Sequence, residues 1–257
     1  MRFRLKLEVL HSVKGNAIPI NYQYELSSAI YKIIAKSDMN FAQWLHDNGF
    51  EYNNKNFKLF SYSWLNVPRY TIDKERERLI INSDFVEWQI SFLPEISTQQ
   101  FIKGLFEDQF IEISDNISGV IFKVKEIQLM PTIEYASEME FITISPICVS
   151  FRNEFGSTDY LSPKAPNYKE GLLSGLLSKY SAFYGDDCQM VQNIDFQVIG
   201  QFKPVLVKIK ANTPAQTFVK AYNYRFKLSL PEPLMHIAYN CGLGEKCSMG
   251  FGMIKVV

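Results

Sequence analysis

Residues 1–10 read MRFRLKLEVL, and the pattern of this stretch sets the prediction for the whole fold. Every second side chain is apolar, and most of those between are charged. Because successive side chains of a β-strand point to opposite faces, strict alternation predicts a strand with one buried and one solvated face. The solvated face carries Arg2, Arg4 and Lys6, which makes it a weak candidate for a basic binding surface.

After this strand the period of the apolar residues changes. An amphipathic helix is predicted in YQYELSSAIYKIIAK (22–36), preceded by Asn21 as a cap. A second short helix is predicted to begin after Ser37 or Asp38 and to end near Gly49. Further elements follow as strand, strand, strand, helix and strand: FKLFSYSWL (57–65), ERLIINS (77–83), FVEWQISFL (85–93), STQQFIKGLFED (97–108) and GVIFKVKEIQLM (119–130).

The polar, acidic segment PTIEYASEME (131–140) marks a domain boundary, and the same order of elements then repeats. The repeat consists of a strand, a helix, two long strands, a short helix and a last strand: 141–151, 167–185, 195–210, 218–230, 232–242 and 250–257. The long strands are predicted to turn near Asn212, Thr213 and Pro214. The sequence therefore predicts an α+β protein of two tandem ferredoxin-like (βαββαβ, RRM-like) domains, residues 1–131 and 132–257, with a C-terminal glycine-rich loop.

Composition and charge narrow the function classes. The 257 residues contain 27 Lys and Arg against 27 Asp and Glu, so any nucleic-acid surface must be a local patch. Four cysteines without a CxxC pair and three histidines argue against zinc, so neither a metal nor a cofactor is expected. The charged start does not resemble a signal peptide, and no apolar run reaches the roughly 20 residues of a membrane span. A cytoplasmic protein is predicted.

Two segments could carry binding chemistry. The predicted hairpin holds cations on one face of each strand, which suits a phosphate backbone but also suits an ordinary solvated face. These cations are Lys208, Lys210, Arg225 and Lys227. The C-terminal segment contains four glycines and a lysine, and it matches neither a dinucleotide nor a P-loop motif. These residues are Gly242, Gly244, Lys246, Gly250 and Gly252. Either their amides approach phosphates, or the glycines form a tight structural turn.

A resemblance to a known family decides between these alternatives. The segment GLGEKCSMGFGMIKV (242–256) resembles the signature loop of CRISPR-associated endoribonucleases that cut repeat RNA into guide RNAs, within the RAMP superfamily. Four further segments resemble the same family in order and spacing. They are IPINYQYELSSAIYKII (18–34), LHDNG (45–49), KLFSYSWL (58–65) and FITISPICVS (141–150). The resemblance thus extends over nearly the whole chain.

The resemblance implies a fold of two ferredoxin-like domains and a metal-independent reaction. The ribose 2′-OH attacks the scissile phosphate, which leaves a 2′,3′-cyclic phosphate and a 5′-OH. His46, Tyr31 and Lys58 fall at the positions of the family's catalytic histidine, tyrosine and lysine. His46 is implied as general acid or base, Tyr31 as the group that orients or activates the 2′-OH, and Lys58 as the cation that stabilises the transition state. The glycine loop and the basic hairpin are then expected to bind RNA.

The implied partners are CRISPR repeat RNA and other subunits of CRISPR effector complexes, with no membrane. The oligomeric state is left open between monomer and homodimer. One alternative is a non-catalytic RNA-binding subunit with the same fold, which would not need His46, Tyr31 and Lys58. Another is an unrelated β-rich protein whose glycines only form a turn, and it predicts no salt-dependent RNA binding.

Overall fold

The computed structural model describes residues 1–188, 194–211 and 213–257. Of the predicted turn at residues 212–214, Asn212 lies outside the described residues, and Thr213 N donates to Lys210 O at 3.3 Å. The first half contains the following elements: β1 (Arg2–Val9), α1 (His11–Lys14), β2 (Ala17–Pro19), α2 (Gln23–Ser37), α3 (Met39–Asp47), β3 (Phe50–Tyr52), β4 (Lys55–Phe57), β5 (Phe60–Tyr62), β6 (Tyr70–Asp73), β7 (Arg78–Ile81), β8 (Phe85–Phe92), α4 (Glu95–Asp108), β9 (Phe110–Ser114) and β10 (Gly119–Leu129).

The main sheet of the first half has the strand order β5-β8-β1-β10-β9, with every neighbouring pair antiparallel. Its core elements β1, α2, β5, β8, α4 and β10 follow the predicted β-α-β-β-α-β order. The apolar face of β1 is buried as the alternation predicts, with Leu5 and Leu7 fully inaccessible. Helices α2 and α4 contact each other and share one core cluster with this face.

The second half repeats this arrangement. Its elements are β11 (Glu138–Thr143), β12 (Ser150–Arg152), β13 (Thr158–Tyr160), α5 (Tyr168–Tyr184), β14 (Asp195–Ile209), β15 (Thr217–Ser229), α6 (Glu232–Cys241), a 3₁₀ turn (Cys247–Met249) and β16 (Ile254–Val256). The sheet order is β14-β15-β11-β16, so β11, α5, β14, β15, α6 and β16 again follow β-α-β-β-α-β. The predicted α+β class is confirmed. No helix within the described ranges has the length and apolar character needed to span a bilayer.

The segment 57–65, predicted as one strand, is interrupted. Strand β4 pairs with β3, whereas β5 pairs with β8 in the main sheet. Between them Leu59 has a φ of +52°, and its buried side chain joins the core of the second half. The backbone carbonyl of Leu59 accepts a hydrogen bond from the Leu93 amide at 3.0 Å. The prediction of a continuous strand was therefore wrong, because tertiary packing turns the chain at this residue.

The charged face of β1 is also not a free basic surface at its start. Arg2 is only 4% exposed and lies against the second half of the chain. Its guanidinium donates to the backbone carbonyls of Ile254, at 2.7 Å, and Tyr239, and it stacks 3.6 Å from the Tyr239 ring centre. Burial lowers the Arg2 pKa to about 10. The alternation correctly predicted an apolar and a charged face of β1. The second half of the chain, however, covers the charged face at the end that carries Arg2.

The hairpin of β14 and β15 extends past its own sheet toward the first half. Its buried side chains Val207, Ile209 and Val219 pack in a third core cluster with Phe251 of the glycine-rich segment. Near the tip, Lys208 Nζ forms an ion pair with Glu77 at 2.6 Å. The hairpin thus packs against the glycine-rich segment and contacts the first half of the chain.

Candidate functional site

The C-terminal glycine-rich loop, residues 242–252, has a left-handed backbone at its four glycines and also at Lys246, where φ is +56°. Gly242, Gly244, Gly250 and Gly252 all have φ between +74° and +87°. A Cβ on Gly252 would lie 2.1 Å from the carbonyl oxygen of Leu243, and one on Gly244 would lie 2.3 Å from that of Cys148. These distances are far below van der Waals contact. The glycines therefore permit close backbone packing inside the protein.

The amides of this loop are partly engaged within the protein. Gly252 N donates to Pro146 O at 2.9 Å, and Gly250 N donates to Cys247 O at 3.3 Å. Leu243 N donates to Gly252 O at 2.9 Å, which closes the loop on itself. The geometry thus accounts for Gly250 and Gly252 through folding, and RNA contact by the loop stays a prediction.

The loop lies against the first half of the chain. Trp64 Nε1 donates to Gly250 O at 3.0 Å, and Ser27 Oγ of α2 donates to Ser248 O at 2.7 Å. Tyr31 lies one helical turn further along α2, where burial raises its pKa and the neighbouring Ser248 side chain partly offsets that rise. Ser248 was not singled out in the sequence. It connects the glycine-rich loop to a predicted catalytic residue.

The first half brings Tyr31, His46 and Lys58 together. Asp38 caps α3 by accepting from Phe41 N at 2.9 Å, and it sets the turn between α2 and α3. The rings of Tyr31 and His46 meet edge to face, with centroids 5.1 Å apart. Lys58 Nζ donates to the backbone carbonyl of His46 at 2.7 Å. Residues from α2, from α3 and from the connection between β4 and β5 therefore converge at one corner.

A tight turn after α3 produces this convergence. Gly49 has a φ of +68°, and a Cβ at this position would lie 2.5 Å from the carbonyl oxygen of Phe57. The chain that returns through β4 therefore passes directly against the end of α3, and it places Lys58 beside His46. The sequence marked Gly49 only as a helix end, although its conformation also sets the position of the lysine.

The three side chains differ in environment. His46 is 65% exposed, and its Nδ1 lies 2.8 Å from Asp47 Oδ1. Hydrogen bonds from His46 and Gln43 lower the pKa of Asp47. Desolvation lowers the pKa of Lys58, although the charge of Asp47 opposes this shift. Burial raises the pKa of Tyr31 well above its ordinary value, so that its hydroxyl stays protonated at neutral pH.

A cleft of about 630 Å³ opens between the two halves beside this corner. It is lined by the β4–β5 segment, by α5 and by the glycine-rich loop. Its cationic lining residues are Lys55, Lys58, Lys179 and Lys246. One carboxylate, Glu245, also lines it and accepts hydrogen bonds from Ser150. The cleft therefore joins predicted catalytic and loop residues in one cationic depression.

The predicted hairpin cations lie outside this lining. Three of them form ion pairs: Lys208 with Glu77, Arg225 with Glu140 and Lys227 with Glu138. Lys210 lies beyond the end of β14 with a φ of +52°, and its ammonium lies 5.6 Å from the ring centre of Tyr24. The structure thus does not present these four residues as one uncompensated basic ribbon.

Sequence reasoning missed Lys179 of α5. It is 5% exposed, and its ammonium donates to carbonyls of the glycine-rich loop. A signal was present, because Tyr168, Leu172 and Leu176 form the buried stripe of α5 and Lys179 continues it. Within the described residues, no three His, Cys, Asp or Glu side chains come together as ligands of a metal ion.

Comparison with known families covers both halves of the chain. The family described as CRISPR-associated protein Cas6, N-terminal, matches residues 17–128. The family described as CRISPR associated protein Cas6, C-terminal, matches residues 129–256.

Individual proteins give the same result. The chain is 31% identical over 258 residues to a protein of Methanocaldococcus jannaschii named CRISPR-associated endoribonuclease Cas6 1, with 99% of this chain and 93% of that protein covered. A Pyrococcus furiosus protein named CRISPR-associated endoribonuclease Cas6 is 26% identical over 256 residues, with 100% and 90% covered.

Solved structures share the fold over the full length. One described as CRISPR associated protein Cas6 has a TM-score of 0.74 at 30% identity, covering 100% of this chain and 99% of that one. Another, described as a RAMP protein binding different RNA substrates, has a TM-score of 0.81 at 23% identity, with the same coverage. Together with the two matched regions, these similarities show that the chain belongs to the Cas6 family of CRISPR-associated proteins.

Proposed function

We propose that this protein is an endoribonuclease that cleaves CRISPR repeat RNA by metal-independent attack of a ribose 2′-OH. The observation that carries the proposal is the convergence of Tyr31, His46 and Lys58 beside a cleft formed by both halves. The names of its relatives, CRISPR-associated endoribonucleases, support the substrate and the reaction class.

The chemistry requires one proton acceptor near the 2′-OH. An ionised carboxylate only accepts hydrogen bonds, so Asp47 holds the proton of the neutral His46 ring on Nδ1 and leaves Nε2 as an acceptor. His46 is exposed enough to reach an RNA strand in the cleft. In this scheme His46 Nε2 takes the proton from the 2′-OH as the 2′-oxygen bonds to phosphorus.

Tyr31 and Lys58 act on the same step in different ways. The raised pKa of Tyr31 makes it a hydrogen-bond donor and not a base, so it orients the nucleophile or the phosphate. Lys58 keeps its ammonium beside His46 and offsets the charge that develops on the phosphorane. The bond from phosphorus to the 5′-oxygen then breaks, the 5′-oxygen takes a proton from water, and a 2′,3′-cyclic phosphate remains.

RNA binding is proposed along the cleft between the halves. Lys55 and Lys246 both line this cleft, so cations from β4 and from the glycine-rich loop are available to the backbone of a single strand. The hairpin cations Lys208, Arg225 and Lys227 would have to exchange their carboxylate partners for phosphates. Lys210, near the hairpin tip, is the fourth predicted contact there.

A cleavage assay tests this proposal. The purified protein is incubated in excess EDTA with RNA that carries its own repeat, beside His46→Ala, Tyr31→Phe and Lys58→Ala. We expect one cut with a 2′,3′-cyclic phosphate end, and a rate lowered about 10²-fold or more in His46→Ala. His11→Ala is the matched control, since His11 lies in α1, away from the cleft, and should leave the rate unchanged.

RNA with a single 2′-deoxy substitution before the scissile phosphate identifies the nucleophile. It should bind normally and resist cleavage. Cleavage of this RNA would refute the 2′-OH mechanism, and loss of wild-type cleavage in EDTA would refute metal independence. Tight, salt-dependent binding without any cut would favour the alternative of a non-catalytic RNA-binding subunit.

A further inference from the structure

Lys179 is a buried cation whose hydrogen bonds to described residues all go to the glycine-rich loop. Its Nζ lies 2.7 Å from Gly242 O, 3.0 Å from Gly244 O and 3.2 Å from Cys247 Sγ. An ammonium has three donors, and these contacts use all three. The head group of a helix residue thus connects to the loop at three points within six residues of chain.

The position of this lysine is unusual for its helix. Tyr168, Leu172 and Leu176 form the buried stripe of α5, and an apolar residue would be the ordinary continuation. Burial of an ammonium is unfavourable unless its charge is compensated by hydrogen bonds. Carbonyl oxygens supply that compensation here without cancelling the charge, so the floor of the cleft stays positive.

The contacts fix the backbone of the loop. The carbonyls of Gly242 and Gly244 accept hydrogen bonds from the ammonium, which sets the orientation of two peptide groups. Lys246 and Ser248 follow directly and line the cleft. The Ser248 carbonyl in turn accepts a hydrogen bond from Ser27 of α2, and Tyr31 lies one helical turn from Ser27, beside the Ser248 side chain. A chain of contacts therefore runs from Lys179 through the loop to a predicted catalytic tyrosine.

We propose that Lys179 is a positioning residue of the reaction: its buried ammonium holds the glycine-rich loop so that Ser248 orients Tyr31 and Lys246 faces the RNA. This inference rests on the proposed endoribonuclease function. Lys179 is too deeply buried to bind a phosphate itself, so it acts through the loop.

The test measures single-turnover cleavage of repeat RNA at saturating protein. Lys179→Met keeps the length of the side chain and removes its charge and donors, and Lys179→Gln keeps one amide donor group. Displacement of reacting groups by about 1 Å costs roughly 10²-fold in rate, and we expect a loss of this order in Lys179→Met. Lys169→Met is the matched control, because Lys169 is an exposed lysine of the same helix paired with Asp195. Its rate should not change.

A double-mutant comparison separates positioning from general destabilisation. Ser248→Ala alone should slow cleavage by about 3-fold to 10-fold, the effect of one hydrogen bond. If Lys179 acts through Ser248, adding Ser248→Ala to Lys179→Gln should slow the reaction no further. If the rate of the double variant is lowered by the product of the two single fold-losses, the proposal is overturned. A wild-type rate in Lys179→Gln would overturn it as well.

Hydrogen exchange reads the loop independently of cleavage. In Lys179→Gln, the amides of residues 243–252 should exchange faster than in the wild type, whereas Lys169→Met should leave them unchanged. Hydrogen exchange can be measured even if the wild type cuts no RNA. In that case the proposed function fails, but the exchange rates still test whether Lys179 holds the loop. Unchanged exchange in both lysine variants would refute the positioning role. If Lys179→Met does not fold, Lys179→Gln carries the comparison.

Discussion

Two groups of cations in this protein have different partners. In the cleft, Lys58 and Lys179 donate to backbone carbonyls, of His46 for the first and of the glycine-rich loop for the second. On the hairpin, Arg225 and Lys227 bind the carboxylates of Glu140 and Glu138 on the neighbouring strand β11. A carbonyl satisfies an ammonium without cancelling its charge, whereas a carboxylate neutralises it.

This difference shows why a count of basic residues does not locate a binding surface. The hairpin carries the denser run of lysines and arginines, yet Lys208, Arg225 and Lys227 are each paired with a carboxylate. The cleft collects its cations from distant parts of the chain, and among its described lining residues Glu245 is the single carboxylate. We therefore expect the larger effects on RNA cleavage and binding from the cleft.

The largest contrast is expected in the cleavage rate. Lys58→Ala removes a charge next to His46, and loss of one group that stabilises the transition state costs about 10²-fold to 10³-fold. Lys227→Ala removes a charge that Glu138 already offsets, so its loss should be much smaller. Single-turnover rates at saturating protein provide the measurement. Equal losses in the two variants would contradict the distinction between the groups.

The next contrast concerns the glycine-rich loop that shapes one wall of the cleft. Gly252→Ala forces a Cβ to 2.1 Å from Leu243 O at a φ of +76°, and we expect the free energy of unfolding to fall by about 1–3 kcal/mol or more. Gly175→Ala is the control, because no atom lies within 4 Å of the added Cβ in α5. In a helix this change should stabilise by about 0.5–1 kcal/mol. Denaturant titration compares the two.

Local periodicity was enough to predict most of the fold. The alternation in β1 and the helical spacing in α2 depend on neighbours in sequence, so both were predicted before the structure was known. The strand break at Leu59 was not, because its left-handed backbone serves packing against the second half. The sequence predicted Arg2 on the solvated face of β1, because the alternation within one strand does not show which other part of the chain covers that face.

The candidate site was predicted only with help from the family resemblance. Tyr31, His46 and Lys58 are ordinary residue types, and no spacing rule brings them together without the turn at Gly49. The ion pair of Lys208 with Glu77 joins residues 131 positions apart, beyond the range of any pattern. Lys179 was missed because its partner Gly242 lies 63 positions away, and Ser248 was missed because it contacts α2 of the first half.

The salt dependence of RNA binding should also differ between the cleft cations and the hairpin cations. Each phosphate contact to a single strand contributes about −0.7 to the slope of log K against log salt. Lys246→Ala should make this slope shallower by about that amount and weaken binding several-fold. Lys227→Ala should leave the slope nearly unchanged if Glu138 keeps its partner in the complex. Binding titrations at several salt concentrations, with a cleavage-deficient His46→Ala background, measure both.

A smaller effect is expected in the pH profile. Desolvation lowers the pKa of Lys58, so its ammonium loses a proton earlier than an ordinary lysine as the pH rises. Cleavage should therefore decline on the alkaline side as this cation is lost. Lys58→Arg keeps its charge at higher pH, because a guanidinium does not titrate in this range, and it should move the decline upward. An unshifted decline would assign it to another group.

The smallest effect is expected from the hairpin ion pairs themselves. A double-mutant cycle on Arg225 and Glu140 should give a coupling of about 0–1 kcal/mol in the free energy of unfolding, since both side chains are partly exposed. A coupling near zero means that the pair is easily exchanged, and the hairpin cations then become available to RNA phosphates at little cost. In that case Lys227→Ala should also make the slope of log K against log salt shallower. The cleft cations and the hairpin cations would then differ in their partners only in the free protein. A coupling near the upper value means that the hairpin cations keep their carboxylate partners in the complex. The cations of the cleft alone then account for the electrostatic part of RNA binding.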